Sequence, residues 1–293
     1  MSFKIFSNFR SENHPTYDGI KEICKNKPIT FFYDYIPKNI EQLQINPFNF
    51  IMIHEPNEFF GMHKWVLENH ELFSGILTWN ADILEKCDNA ILFHHCGDGL
   101  AGELSNKSLD DFNKKYYKKD FEISFLSGIK NLVEGHQLRQ EIYKIKDQIK
   151  MPKKWFHTLE DFDQEDYNKG GVGRPDSIWG AKQICFQTPM FHVAVENVNS
   201  PNWYTEKIAD AFATKTVPIF WGCPNIKELG YDDRGIIKFT NIDELIKIIN
   251  SLTTETYYKK QQYMEHNYQN VKLDRVKDKL ELFFTQIITL NNL

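Results

Sequence analysis

Short β-rich runs alternate with stretches able to form helices, and that alternation limits the chain to few folds. FKIFSN (3–8), ITFFYDY (29–35), FNFIMIH (48–54), GILTW (75–79) and AILFH (90–94) read as strands, with helical stretches such as 57–70 and 81–87 between them. Strands separated by helices pair in parallel through βαβ crossovers, so the class is α/β. A polar, lysine-rich stretch, SNKSLDDFNKKYYKKD at 105–120, interrupts the pattern and reads as a solvated linker. The alternation then resumes with FEISFLSG at 121–128, a helix at 136–149, the unit FHVAVENVNSPNWYTEKIADAFATKTVPIFWG at 191–222, and the strand IIKF at 236–239. Helical patterns near 241–252 and 272–288 finish the chain. The expectation is two Rossmann-like domains, 1–120 including the linker and 121–293, with the last helix free to pack back on the first.

Composition excludes several function classes. A chain of 293 residues with 41% hydrophobic residues can bury the cores of two domains, and is not disordered. A formal net charge of -5 argues against a dedicated nucleic-acid binder, which needs a basic surface. Cys24, Cys87, Cys96, Cys185 and Cys223 are odd in number and form no C-x-x-C pair, which points to free thiols in a reducing compartment. Without a signal-like or membrane-spanning apolar run, the expected location is cytoplasmic. Peripheral membrane contact stays open.

Open α/β sheets bind ligands at the carboxyl ends of their strands, and two such domains would leave a cleft there. Glu196 and Asn197 follow the apolar run FHVAV at such an end. Either Ser200, before Pro201, or Thr205 can cap the next helix, which places Glu206 and Lys207 in its first two turns. A helix N-terminus attracts anions through its free N–H groups and dipole, and a lysine adds a full charge. The combination suits a diphosphate. Glu196, Glu206 and Asn197 suit the hydroxyls of ribose or sugar.

The segment ENVNSPNWYTEKIADAFATKTVPIFWGCPNI resembles the donor-binding motif of the alpha-1,3/4-fucosyltransferases, glycosyltransferase family 10. Glu196-Asn197, Thr205-Glu206-Lys207, and Val217-Pro218-Ile219 with Gly222 match it in order and spacing. Upstream, KDFEISFLSGIKNLVEGHQLRQEIY resembles the segment that carries the family's phosphate-binding arginine, matched by Arg139. Trp203 stands where members often have tyrosine, and could pack on the donor. Gly128, ending a strand in this segment, would let donor phosphate approach the backbone. The resemblance implies a GT-B architecture, a guanosine-diphosphate-fucose donor, a glycan acceptor on the side of the first domain, and inversion at the sugar without an obligatory metal or other cofactor. Arg139 and Lys207 would then take up the charge of the leaving diphosphate.

The family also implies a carboxylate base from the first domain. Glu55, at the carboxyl end of the run FNFIMIH and before Pro56, is the candidate, with His54 and Glu58 as rivals. Asp161-Phe162-Asp163 reads as solvated loop rather than a metal site, and His94-His95-Cys96 as no metal cluster. Gly97, Gly99 and Gly102, like Gly170, Gly171 and Gly173, read as turns rather than phosphate loops. Two other readings stay open: a GT-B enzyme using another nucleotide sugar, as transferase or epimerase, and a non-catalytic protein that binds sugar nucleotides or glycans.

Overall fold

A computed structural model describes residues 2–8, 12–97, 99–128, 130–157 and 182–293. Its first elements are β1 (Lys4–Ser7), α1 (Asp18–Ile23), β2 (Ile29–Tyr33), α2 (Ile40–Gln44), β3 (Phe48–Ile53), α3 (Asn57–Phe60), α4 (Met62–Asn69), β4 (Gly75–Thr78), α5 (Ala81–Lys86) and β5 (Ala90–Leu92). There follow α6 (Leu100–Glu103), α7 (Asn106–Lys115), β6 (Asp120–Ser127), α8 (Glu134–Lys144), β7 (Lys153–His157), α9 (Ile184–Gln187), β8 (Pro189–Val195), α10 (Glu206–Ala213), β9 (Val217–Trp221) and β10 (Ile237–Lys238). Helices α11 (Ile242–Ser251), α12 (Thr254–Val271) and α13 (Val276–Leu290) complete the chain. It divides into two compact units, Met1–His95 with Val276–Leu293, and Cys96–Arg275.

The first unit holds a parallel sheet in the order β1-β2-β3-β4-β5. Its strands β2 and β4 are buried at every position because both faces of the sheet are covered. Phe31, Tyr33, Phe50, Met52 and Leu77 point to one face and pack with Tyr17, Ile20, Leu280 and Phe284. Phe32, Ile51, Ile53 and Ile76 point to the other, against Met62, Val66 and Ile83. The period of two in strand side chains sorts the residues between these faces.

The second unit has the parallel order β10-β9-β8-β6-β7. From β6 the chain first adds β7 on one side, then returns to place β8 on the other. The connections therefore diverge between β6 and β8, a topological switch point where open α/β sheets bind ligands beyond the strand ends. Gly128 follows β6 there, and Glu196 follows β8.

The structure departs from the sequence reading in three places. The stretch at 105–120 is no linker: Ser105 caps α7 by accepting from Ser108 N–H, and Leu109 and Phe112 are buried beneath a lysine-rich outer face. The division of the chain accordingly falls at His95–Cys96 and not at 120–121. Strand β7 and helix α12 were not anticipated. In α12 the Thr253–Thr256 capping box precedes a sparse buried stripe of Tyr257, Met264, Tyr268 and Val271, which a largely polar sequence conceals.

Candidate nucleotide-sugar site

Thr205 is the residue that precedes α10, so Glu206 and Lys207 are its first two residues, and Ser200 lies outside the helix. Ile208, Ala211 and Phe212 are buried along it. The Thr205 side chain does not cap the helix in the usual way. It donates instead to Glu196 Oε2 at 2.7 Å, while Thr205 N–H donates to Oε1 at 2.8 Å. Glu196 is fully buried, and its own N–H donates to Trp221 O at 2.9 Å. Burial raises its pKa against the pull of Lys207, whose ammonium is 3.7 Å away. Glu196 is thus a clamp between the end of β8 and the start of α10, and not the open hydroxyl acceptor expected from sequence. Gly222 makes room for it, since a Cβ there would lie 2.6 Å from Glu196 Cγ.

Helix α8 reaches the same strand end. A Cβ on Gly135 would sit 1.7 Å from Glu196 O, so only glycine permits the approach, and Gly135 N–H donates to Asn197 O at 3.0 Å. One turn on, Arg139 donates from Nη1 to Val195 O and from Nη2 to Asn197 Oδ1, the latter at 3.0 Å. These two bonds leave other N–H groups of the five-donor guanidinium fork for a ligand. Burial lowers its pKa to about 10, with Glu196 and Glu206 opposing, so it stays cationic near neutrality. Asn197 therefore orients Arg139. His136, on the same helix, is buried and its pKa falls to about 4, through burial first and Arg139 second; it is neutral.

Lys207 Nζ lies 3.1 Å from Thr205 Oγ1 and 3.4 Å from Glu206 Oε1, with 22% of the side chain exposed. Glu206 keeps 27% of its side chain exposed. Burial works to raise its pKa, but Lys207 and Lys182 outweigh it and hold the carboxyl well below the usual range. Arg139, Asn197, Glu206 and Lys207 are thus brought together at the carboxyl end of β8, beside the switch point. Trp203 is only 2% exposed and so is no open stacking surface for a donor.

Two features escaped the sequence reading. Gly97-x-Gly99-x-x-Gly102 does have the G-x-G-x-x-G spacing, and it packs on the start of α10: Cβ atoms would fall 3.3 Å from Glu206 N at Gly97 and 2.4 Å from Glu206 Cβ at Gly99. Gly97 adopts a φ of 68°, which glycine takes without strain. Lys182 pairs with the fully buried Asp210 at 2.7 Å and lies 3.7 Å from Glu206. No motif pointed to Lys182. Asp161, Asp163, Gly170, Gly171 and Gly173 fall outside the described residues.

In the first unit, Glu55 sits two residues beyond β3 and is partly buried. The N–H groups of His54 and Glu55 donate to Asp34 Oδ1 at 2.7 and 3.1 Å. His54 stacks on His95 with ring centroids 4.4 Å apart. Among the described residues, no group of three or more His, Cys, Asp or Glu side chains is placed to hold a metal ion, and no helix is long and apolar enough to cross a membrane.

Comparison with known proteins gives a consistent picture. Over 83 residues, 27% of this chain, the sequence is 32% identical to the alpha-(1,3)-fucosyltransferase FucT of Helicobacter pylori, and the match covers 16% of that relative's length. No family model matches. A solved alpha1,3-fucosyltransferase superposes with a TM-score of 0.57 at 18% identity, covering 98% of this chain and 89% of that one; a structure of an alpha1,3-fucosyltransferase with GDP-fucose gives 0.53 at 15%, covering 92% and 90%. Anabaena HepE in complex with UDP-glucose gives 0.53 at 13%, covering 91% and 79%. By fold the protein is of the GT-B class, and by its matched segment it resembles the alpha-1,3-fucosyltransferases of glycosyltransferase family 10.

Proposed function

We propose that the protein is an inverting glycosyltransferase that moves fucose from GDP-fucose to a hydroxyl of a glycan acceptor. The observation that carries this reading is the grouping of Arg139, Asn197, Glu206 and Lys207 at the end of β8, on residues that match the fucosyltransferase motif. In a single displacement the acceptor oxygen bonds to the anomeric carbon as the bond to the diphosphate breaks, which inverts that centre. Negative charge develops on the departing diphosphate. Lys207, as a point charge, and Arg139, as a planar fork, are suited to take it up without a metal ion. Glu206 accepts hydrogen bonds from donor hydroxyls. Gly128, beyond β6 at the switch point, leaves the backbone approachable by phosphate.

The acceptor's proton goes to Glu55 in this reading. The Asp34 carboxylate fixes the backbone of His54 and Glu55, which supports a held carboxylate over a mobile one. His54 and Glu58 are the other candidates. The expected location is cytoplasmic.

A second reading, a GT-B enzyme acting on another nucleotide sugar, is favoured by the likeness in fold to HepE, whose structure contains UDP-glucose. One experiment separates the two. The protein is incubated with radiolabelled GDP-fucose, GDP-mannose, UDP-glucose and UDP-galactose, and both hydrolysis and transfer are measured. Consumption of GDP-fucose alone is expected. Consumption of a uridine donor in preference would replace the fucosyltransferase reading, and binding without turnover of any donor would favour a non-catalytic binding protein.

A further inference from the structure

The charges around the start of α10 balance. Glu196, Glu206 and Asp210 supply three carboxylates, and Lys182, Lys207 and Arg139 three cations. An incoming diphosphate needs cations that are not already committed, so how the cluster divides its charges decides whether Lys207 is available. Lys207 is the partly exposed ammonium, whereas Lys182 is 8% exposed and has its nitrogen 2.7 Å from Asp210 Oδ2. Asp210 is itself held, since its Oδ1 accepts from Ala101 N–H at 3.1 Å. Lys182 is thus locked by a fixed carboxylate at a point 3.7 Å from Glu206 Oε1.

We propose that Lys182 is a positioning residue which, anchored by Asp210, holds Glu206 as an oriented carboxylate and thereby releases Lys207 to engage the donor diphosphate. This rests on the fucosyltransferase-like reading of the site. Lys207 already lies 3.4 Å from Glu206 Oε1, so without Lys182 to share that carboxylate it would have to serve both Glu206 and the phosphates. The burial of the Lys182–Asp210 pair fits this role. A buried pair adds little net stability over an apolar replacement, because the desolvation of both charges offsets their attraction. Its third neighbour, Glu206, gives it a use beyond the fold. The groups facing Glu206 are Lys182, Lys207 and Asp210, Arg139 from α8, and Glu196 from the end of β8. His192 lies near Lys182, and burial, followed by that lysine, lowers its pKa to about 3, so it is uncharged at neutral pH and gains charge only at the acid end of a titration.

The test removes both partners, because Lys182→Met alone would leave Asp210 buried without its cation and could prevent folding. Lys182→Met/Asp210→Asn retains the shapes without the charges, and Lys182→Arg keeps the charge. The Glu206 carboxyl is followed by 13C NMR in Glu-labelled full-length protein over pH 2 to 8, with Glu206→Gln identifying its resonance. GDP affinity is measured by calorimetry on the same samples. In the double variant the Glu206 midpoint should move up by about one pH unit or more, since the cation 3.7 Å from its Oε1 that favours the ionised form is gone, and loss of the like-charged Asp210 offsets only part of this. GDP affinity should fall about tenfold or more, with Lys182→Arg recovering most of both. An unmoved midpoint in the folded double variant overturns the proposal, as does a moved midpoint with wild-type GDP affinity. If the wild type binds neither GDP nor GDP-fucose, the donor reading fails separately, and the same affinity comparison is then made with whichever nucleotide sugar is consumed.

Discussion

Replacing Glu196 by alanine should damage the fold more than the chemistry, although Glu196 belongs to the motif that resembles a donor site. Its carboxylate accepts from Thr205 N–H at 2.8 Å and from Thr205 Oγ1 at 2.7 Å. Thr205 is 3% exposed, so water cannot readily replace the acceptor. Each buried donor left without a partner costs about 1–3 kcal/mol, which gives roughly 2–6 kcal/mol for the two. Relief from burying the carboxylate works the other way, and an expectation of about 3 kcal/mol results. For a domain of this size that corresponds to a fall in Tm of about 6–12 °C. Glu196→Gln keeps one acceptor and can donate its amide to the threonine hydroxyl, so about 1–2 kcal/mol should be lost. Differential scanning calorimetry of the full chain, following the transition of the 96–275 unit, measures both. A Glu196→Ala protein within about 2 °C of the wild type would refute the clamp, because the Thr205 donors would then have found other partners.

Glu206→Gln and Lys207→Ala should behave in the opposite way, with thermal unfolding nearly unchanged and turnover reduced on the order of 10²-fold, as when a charge-stabilising group is removed from a transition state; a Lys207→Ala protein that unfolds readily while keeping its specific activity would make the cluster structural. Glu55→Gln should lower kcat with GDP affinity largely intact, and near-normal transfer would pass the role of base to Glu58 or His54. Transfer should survive excess chelator, whereas loss of activity that returns with manganese or magnesium would replace the Arg139–Lys207 account. Lys119 offers a pH test away from the site. Burial lowers its pKa to about 7. The unfolded chain then binds the extra proton between about pH 7 and the ordinary lysine value near 10.4, so stability from this group rises with pH across that window. Subtracting the urea-unfolding curves of Lys119→Met from those of the wild type should isolate this slope, and a difference that is flat from pH 7 to 10 would contradict it.

Much of the fold was legible because its signals are local. Apolar runs such as ITFFYDY and FNFIMIH become strands covered on both faces, and the helical stretches between them make parallel pairing the economical solution. The spacing from Glu196-Asn197 to Thr205-Glu206-Lys207 likewise places these residues at a strand end and a helix start. Segments whose structure depends on distant partners were misread. The lysines of α7 hide Leu109 and Phe112, and α12 shows its stripe only against the unit it covers.

By itself, the sequence determined two parallel α/β units and a fucosyltransferase-like run of polar residues at the end of β8. The tertiary structure decided what each of those residues does. Glutamate carries the same carboxylate at 196 and at 206, yet the first is sealed under Thr205 and the second keeps part of its surface in water between Lys182 and Lys207. Gly97 and Gly99 read as turns until the chain brings them against Glu206, and Lys182 carries no sequence signal until Asp210, on another element, lies 2.7 Å from it. The physical reason is that burial and ionisation are set by neighbours in space. Residues such as Ala101 and Asp210 stand more than a hundred positions apart in the chain, and only the folded structure makes them adjacent.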